Sequence, residues 1–113
     1  MNYDLEERTA RFGEEIIRFC KSVEVDHITR PLISQLVRSA TSIGANYMEA
    51  NQASSEKDFY NKIRISQKES NESKHWLRML VVVFPERRNE LAIFWKESHE
   101  LTLIFAKISK SKN

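Results

Sequence analysis

The stretch RSATSIGANYMEAN, residues 38–51, lies in the middle of a run with helical periodicity, yet it is crowded with Ser, Thr, Gly and Asn. Such residues are mediocre or poor helix formers. Across Pro31–Ala50 the only full charges are Arg38 and Glu49. A solvent-facing helix carries far more charge, so this segment is expected to meet other protein on most of its circumference. Set on a wheel, Leu32, Leu36, Ala40, Ile43, Tyr47 and Ala50 form one apolar stripe. Gln35, Arg38, Ser42, Asn46 and Glu49 share a second arc of roughly 80°. Between the arcs lie only Ser34, Thr41, Ala45 and Met48. The helix therefore has two contact faces, one for its own bundle and one for another element or another subunit.

Three further periodic segments flank it. Leu5, Phe12, Ile16, Phe19 and Val23 recur at helical spacing, with Asp4 placed to cap them. The second helix opens at Thr29-Arg30-Pro31, where Pro31 suits the first turn. A third begins at Ser55, which with Asp58 resembles a capping box, and carries Phe59, Ile63, Leu77, Val81 and Phe84. Pro85 breaks the chain. A fourth helix follows with Leu91, Phe94, Trp95, Leu101, Phe105 and Ile108 on its stripe and Ile93, Leu103 and Ile104 off it. Such surplus apolar surface is a mark of association. Helices over roughly 4–23, 30–51, 55–84 and 86–110, joined by short links, predict an all-α, antiparallel up-down four-helix bundle as one domain of residues 1–113. The basic tail 107–113 is expected to fray.

Composition agrees. Two Gly and two Pro in 113 residues disfavour a turn-rich β fold. The single Cys20 excludes an intramolecular disulfide and a Cys-cluster zinc site, and reads as a small apolar residue of the first helix. No apolar run is long enough to cross a bilayer, and MNYDLEERTARF lacks the apolar block of a signal peptide. The expected location is the cytoplasm, with no membrane partner. A formal charge of +2 says little by itself.

Small residues allow close backbone approach, which accounts for Ser39, Ala40, Ser42, Gly44 and Ala45, and for Ser66, Ser70 and Ser73 on the third helix. They fit either tight positions inside one bundle or an oligomer interface. Arg38 is placed to pair with Glu69 or Glu72, which share an arc with Trp76. Read as an active site, Arg38, Asn46, Glu49, Glu69 and Glu72 lack a metal-binding His spacing, a phosphate loop and a nucleophile–base arrangement. A polar network that fixes helix register is the better reading, with no catalytic residue, metal or cofactor. Lys57, Arg64, Lys68, His75 and Arg78 fall on one outer arc of the third helix, interleaved with Asn61 and Asn71 and uninterrupted by acid. Such a ridge is either a plain solvated face or a surface for a nucleic-acid backbone. Trp76 and Trp95 read as core or interface residues, with base stacking as the alternative.

The run LISQLVRSATSIGANYMEANQASSEKDFYNKIRISQKESNESKHWLRML, residues 32–80, closely resembles the bacterial four-helix-bundle proteins encoded in intervening sequences of 23S ribosomal RNA genes. The resemblance rests on "QLVRSATSIGAN..EA", then "S..DF..K", then "KE..E...WL". It implies a bundle that assembles into a ring, with a homopentamer as the form. The related accessory protein of diversity-generating retroelements has a similar barrel, binds nucleic acid and partners a reverse transcriptase. The matching positions here are Gln35, Arg38, Ser42, Asn46, Glu49, Phe59, Glu69, Glu72 and Trp76, which look like packing and interface determinants. Together these readings predict a non-enzymatic homo-oligomer that binds RNA or DNA through Lys57, Arg64, Lys68, His75 and Arg78. The alternative is a scaffold or adaptor ring for a protein partner.

Overall fold

The structure is a computed structural model in which residues 4–111 are described. Helix α1 spans Leu5–Lys21, α2 Thr29–Asn51, α3 Glu56–Val83 and α4 Arg88–Lys110, with a single 3-10 turn at Pro85–Arg87 between the last two. Three of the four starts have a local side-chain cause. The Asp4 carboxylate accepts from the Glu7 amide, and the Ser55 hydroxyl accepts from the Asp58 amide. Helix α2 starts at Thr29, one residue before the expected Arg30, behind a turn organised by Asp26. The Asp26 carboxylate accepts from the Ile28 and Thr29 amides, while the Asp26 amide donates to the Thr29 hydroxyl. These bonds hold the Asp26 carboxyl below its ordinary value, the Thr29 amide contributing most. At the other end of the chain α4 runs to Lys110, so the basic tail is helical that far; Lys112 and Asn113 lie outside the described residues.

Consecutive helices run antiparallel, and the expected up-down four-helix bundle is what forms. Helix α2 packs on both α1 and α3, α3 packs on α2 and α4, and α1 closes more lightly on α4. The core is a continuous cluster that includes Ile16, Leu36, Ile43, Ile63, Leu77, Leu80, Leu91, Leu101 and Phe105. Near the Pro85 turn, Phe19 makes edge-on contacts with Phe84 and Phe94, and the Arg87 guanidinium lies 4.7 Å from its ring. The α1–α4 closure is completed by Arg8, bonded to Glu97 at 2.7 Å and Glu100 at 3.1 Å. Cys20 is buried, and burial pushes its thiol up to about 11, the state of an inert packing residue. No helix among the described residues is long and apolar enough to cross a membrane.

The small residues of α2 divide between two neighbours, which explains why this helix carries so little charge. Ser39 and Ala40 are buried against the rest of the bundle, and Ser66 of α3 donates to the Ile43 carbonyl at 2.9 Å. Gly44 faces α1: a Cβ added there would stand 3.0 Å from Thr9 Oγ1 and 3.3 Å from Thr9 Cβ. Thr9 cannot easily yield, because it is buried and its hydroxyl donates to the Leu5 carbonyl at 2.7 Å. Gly13 sits across the same interface with more room, its added Cβ meeting Thr41 Cγ2 at an ordinary 3.5 Å.

The two glycines should therefore respond differently. Gly13→Ala gains helix propensity without a clash and is expected to stabilise the fold by about 0.5–1 kcal/mol. Gly44→Val drives a branched side chain into Thr9 and is expected to cost about 1–3 kcal/mol. Urea unfolding of both variants checks this; equal responses would refute the close α1–α2 approach at Gly44.

Candidate nucleic-acid interface

Two sets of polar residues organise the outer surface of α2 and α3. In the first, Arg38 gathers its neighbours. Its Nε donates to Gln35 Oε1 at 3.0 Å, Nη1 donates to Glu69 Oε1 at 3.1 Å, and Nη2 donates to Glu72 Oε2. The Trp76 indole donates to the same Glu72 oxygen at 2.9 Å. Glu69 is only 8 % exposed, and Arg38 is the cation bonded to it. The Trp76 N–H, and after it the Arg38 guanidinium, hold the Glu72 carboxyl below its ordinary value; Lys68 adds to this through space. The pairing of Arg38 with both carboxylates lies within one chain.

The remaining members of the expected network are not joined to this cluster. Ser42 donates to the Arg38 carbonyl and Asn46 to the Ser42 carbonyl, so both satisfy their own helix. Glu49 pairs instead with Lys62 at 2.8 Å. Ala45 is exposed and lines a groove of about 370 Å³ between α1 and α2, together with Ala10, Gly13, Ile17 and Met48. All the carboxylates of the polar arc are thus bound by cations of the same chain, an arrangement that fixes the register of α2 against α3. Among the described residues no buried side-chain polar atom lacks a hydrogen-bond partner.

The second set is the basic ridge. Lys57, Arg64, Lys68, His75 and Arg78 are all exposed along α3, as their 3-, 4- and 7-residue spacings require, and Asn61 and Asn71 stand between them. From Lys57 to Arg78 the line covers about 30 Å of helix. Among the described residues none of the five is ion-paired with a carboxylate. Glu72 stands at the edge of this line rather than in it, already engaged by Arg38 and Trp76.

The structure adds residues that periodicity did not single out. Lys74 sits beside the ridge and reaches α4, with Nζ 3.0 Å from His99 Nδ1 and 5.3 Å from the Trp95 ring. Trp95 is a correction: placed on the apolar stripe of α4 by its spacing, it is 40 % exposed and flanks the core. Trp76, in contrast, is half-buried and packs against the core, as expected. Ile93 and Leu103 are exposed at 68 % and 55 %, in keeping with their position off the stripe.

A bundle of four antiparallel helices, with no strand among the described residues and with polar side chains that tie α2 to α3, defines an all-α helical-bundle protein. The chain belongs to the 23S rRNA-intervening sequence protein family, whose model matches residues 1–83. Its structure is similar to that of a protein of unknown function from the S23 ribosomal protein family of Bacteroides thetaiotaomicron. The two share 32 % identity, with a TM-score of 0.84 over 93 % of this chain and 97 % of that one. A comparison with curated proteins returns no match.

The Arg38 cluster predicts a distinct response to mutation and to acid. Arg38→Ala strands the Glu69 carboxylate and is expected to cost about 1–3 kcal/mol of stability. Because the folded Glu72 carboxyl is depressed, its contribution is complete above the ordinary carboxylate range and is lost as pH falls through the folded value. The stability gap between wild type and Glu72→Gln should accordingly close below about pH 4. Denaturant unfolding across pH 3–7 measures it, and a gap constant with pH would contradict the assignment.

Proposed function

We propose that this protein is a non-enzymatic homo-oligomer that binds RNA or DNA through the basic ridge of α3. The observation that carries the reading is the ridge itself: five exposed basic side chains in line, none held by a carboxylate among the described residues. Cations left unpaired along about 30 Å of rigid helix match the repeating charge of a phosphate backbone. Contacts of this kind position a nucleic acid without reading its sequence, so binding is salt-sensitive and weakly selective. The carboxylates that an enzymatic reading would need are engaged by Arg38, Trp76 and Lys62, which supports a structural role for them.

Self-association supplies the affinity that a single ridge lacks, since several copies act together on one strand. The groove between α1 and α2, with small Ala10, Gly13 and Ala45 beside exposed Ile17 and Met48, supports that helix pair as the subunit contact. Association there involves α1 and α2 and leaves the α3 ridge uncovered. A ring, with five subunits as the family resemblance implies, follows from a head-to-tail contact that closes on itself.

Light scattering with and without a structured RNA, at low and high salt, tests both parts. Wild type is expected to be a multimer that takes up RNA at low salt and releases it at high salt. Arg64→Glu with Lys68→Glu should remove RNA uptake while retaining the multimer, and should lower the salt slope of log K by about 2. Ala45→Glu should reduce the mass. RNA uptake unaffected by the double charge reversal would remove the ridge from the function and favour a protein-binding scaffold.

A further inference from the structure

The ridge is bordered on one side by an aromatic pair that a surface built only for phosphates does not require. Trp95 and His99 stand one turn apart on α4 and stack, with ring centroids 5.2 Å apart and planes inclined by 15°. Lys74 of α3 reaches across the seam to both. Beside this pair a groove of about 250 Å³ opens between the helices, lined by Leu77, Arg78, Val81, Leu91, Ala92 and Trp95. Arg78 is thus both the last cation of the ridge and a wall of the groove. The family model match ends at Val83, so Trp95 and His99 lie beyond it.

We propose that the α3–α4 seam is a stacking site for an unpaired base, and that the preferred ligand is single-stranded nucleic acid. The inference rests on the ridge reading above and extends it to the choice of ligand. Charge and shape act together here. Lys74 and Arg78 attract the backbone, while the apolar floor of Leu77, Leu91 and Ala92 and the exposed indole of Trp95 receive a flat, weakly polar ring. In a duplex the bases are paired and stacked on one another, so their faces are not available to Trp95. In a single strand a base is free to turn toward the seam while its phosphates remain on the ridge.

The test uses fluorescence anisotropy of the full-length protein with three labelled probes of equal length: unstructured oligouridine, the same strand with abasic residues, and a duplex. The abasic strand keeps every phosphate and lacks only the rings. Wild type is expected to prefer the base-bearing strand over the abasic one by about tenfold. Trp95→Leu should bring that ratio close to one, and Trp95→Phe should restore most of it. Circular dichroism and light scattering on each variant confirm that helicity and mass are retained. A ratio unchanged in Trp95→Leu, with binding still salt-sensitive, overturns the stacking site and leaves the ridge standing. No binding of any probe overturns both readings. A fall in mass on Trp95→Leu identifies the seam as a subunit contact and also overturns the proposal.

Discussion

The contact between α2 and α3 determines how the rest of the bundle is arranged, and beside its large core side chains it is closed by serines that hydrogen-bond across it. Ser73 donates to the Glu69 carbonyl at 2.9 Å, which leaves its oxygen to accept from Ser39 at 2.8 Å. Ser66 reaches the Ile43 carbonyl across the same interface. Small hydroxyl-bearing residues bring the backbones near and satisfy themselves in doing so, so the close approach strands no buried polar group. Ser98 and Thr102 repeat the device between α4 and α3, bonding the Ser70 carbonyl and hydroxyl. Larger residues at these positions would force the helices apart and move every side chain above them.

Serines alone would allow the two helices to slide by a turn. The polar residues of the motif prevent that, and they do it at two heights. Arg38 meets Glu69 and Glu72 near the middle of α2, and Glu49 meets Lys62 near its C-terminal end. Two ion-paired points on antiparallel rods fix both translation and rotation. Individually such exposed pairs contribute little stability. Their value lies in excluding alternative registers, and the depth of Glu69 makes one of them costly to break.

Much of this was legible in the sequence. The caps at Asp4 and Ser55 follow from short polar side chains set just before a periodic run, and the Arg38–Glu69–Glu72–Trp76 cluster follows from residues that share arcs on adjacent helices. The ridge was legible for the same reason, because spacing along one helix is enough to align it. What spacing could not give was the rotation of one helix against another. The Glu49–Lys62 pair and the Lys74–Trp95–His99 group depend on that rotation, as does the exposure of Trp95, whose position on a wheel differs little from that of a core residue. Pro31 marks the start of α2 to within a residue or two, whereas the Asp26–Thr29 bonds that hold it depend on the conformation of the preceding loop, which spacing does not give. The arc of α2 from Gln35 to Glu49 is a contact face, and its Arg38 and Glu49 are bonded to α3 of the same chain, while α1 packs beside it at Gly44 and Thr41.

The distribution of contacts along the chain also bears on how the bundle assembles. Nearly every helix packs on the one that precedes or follows it, so most of the interface forms between segments close in sequence. Topologies of this kind have low contact order and are associated with fast folding. The exception is the meeting of the chain's two ends, where Arg8 reaches Glu97 and Phe19 reaches Phe94. That closure is the long-range step, and it joins the two helices with the lightest mutual packing. Separation along the chain is largest at this closure, 89 residues between Arg8 and Glu97 and 92 between Arg8 and Glu100.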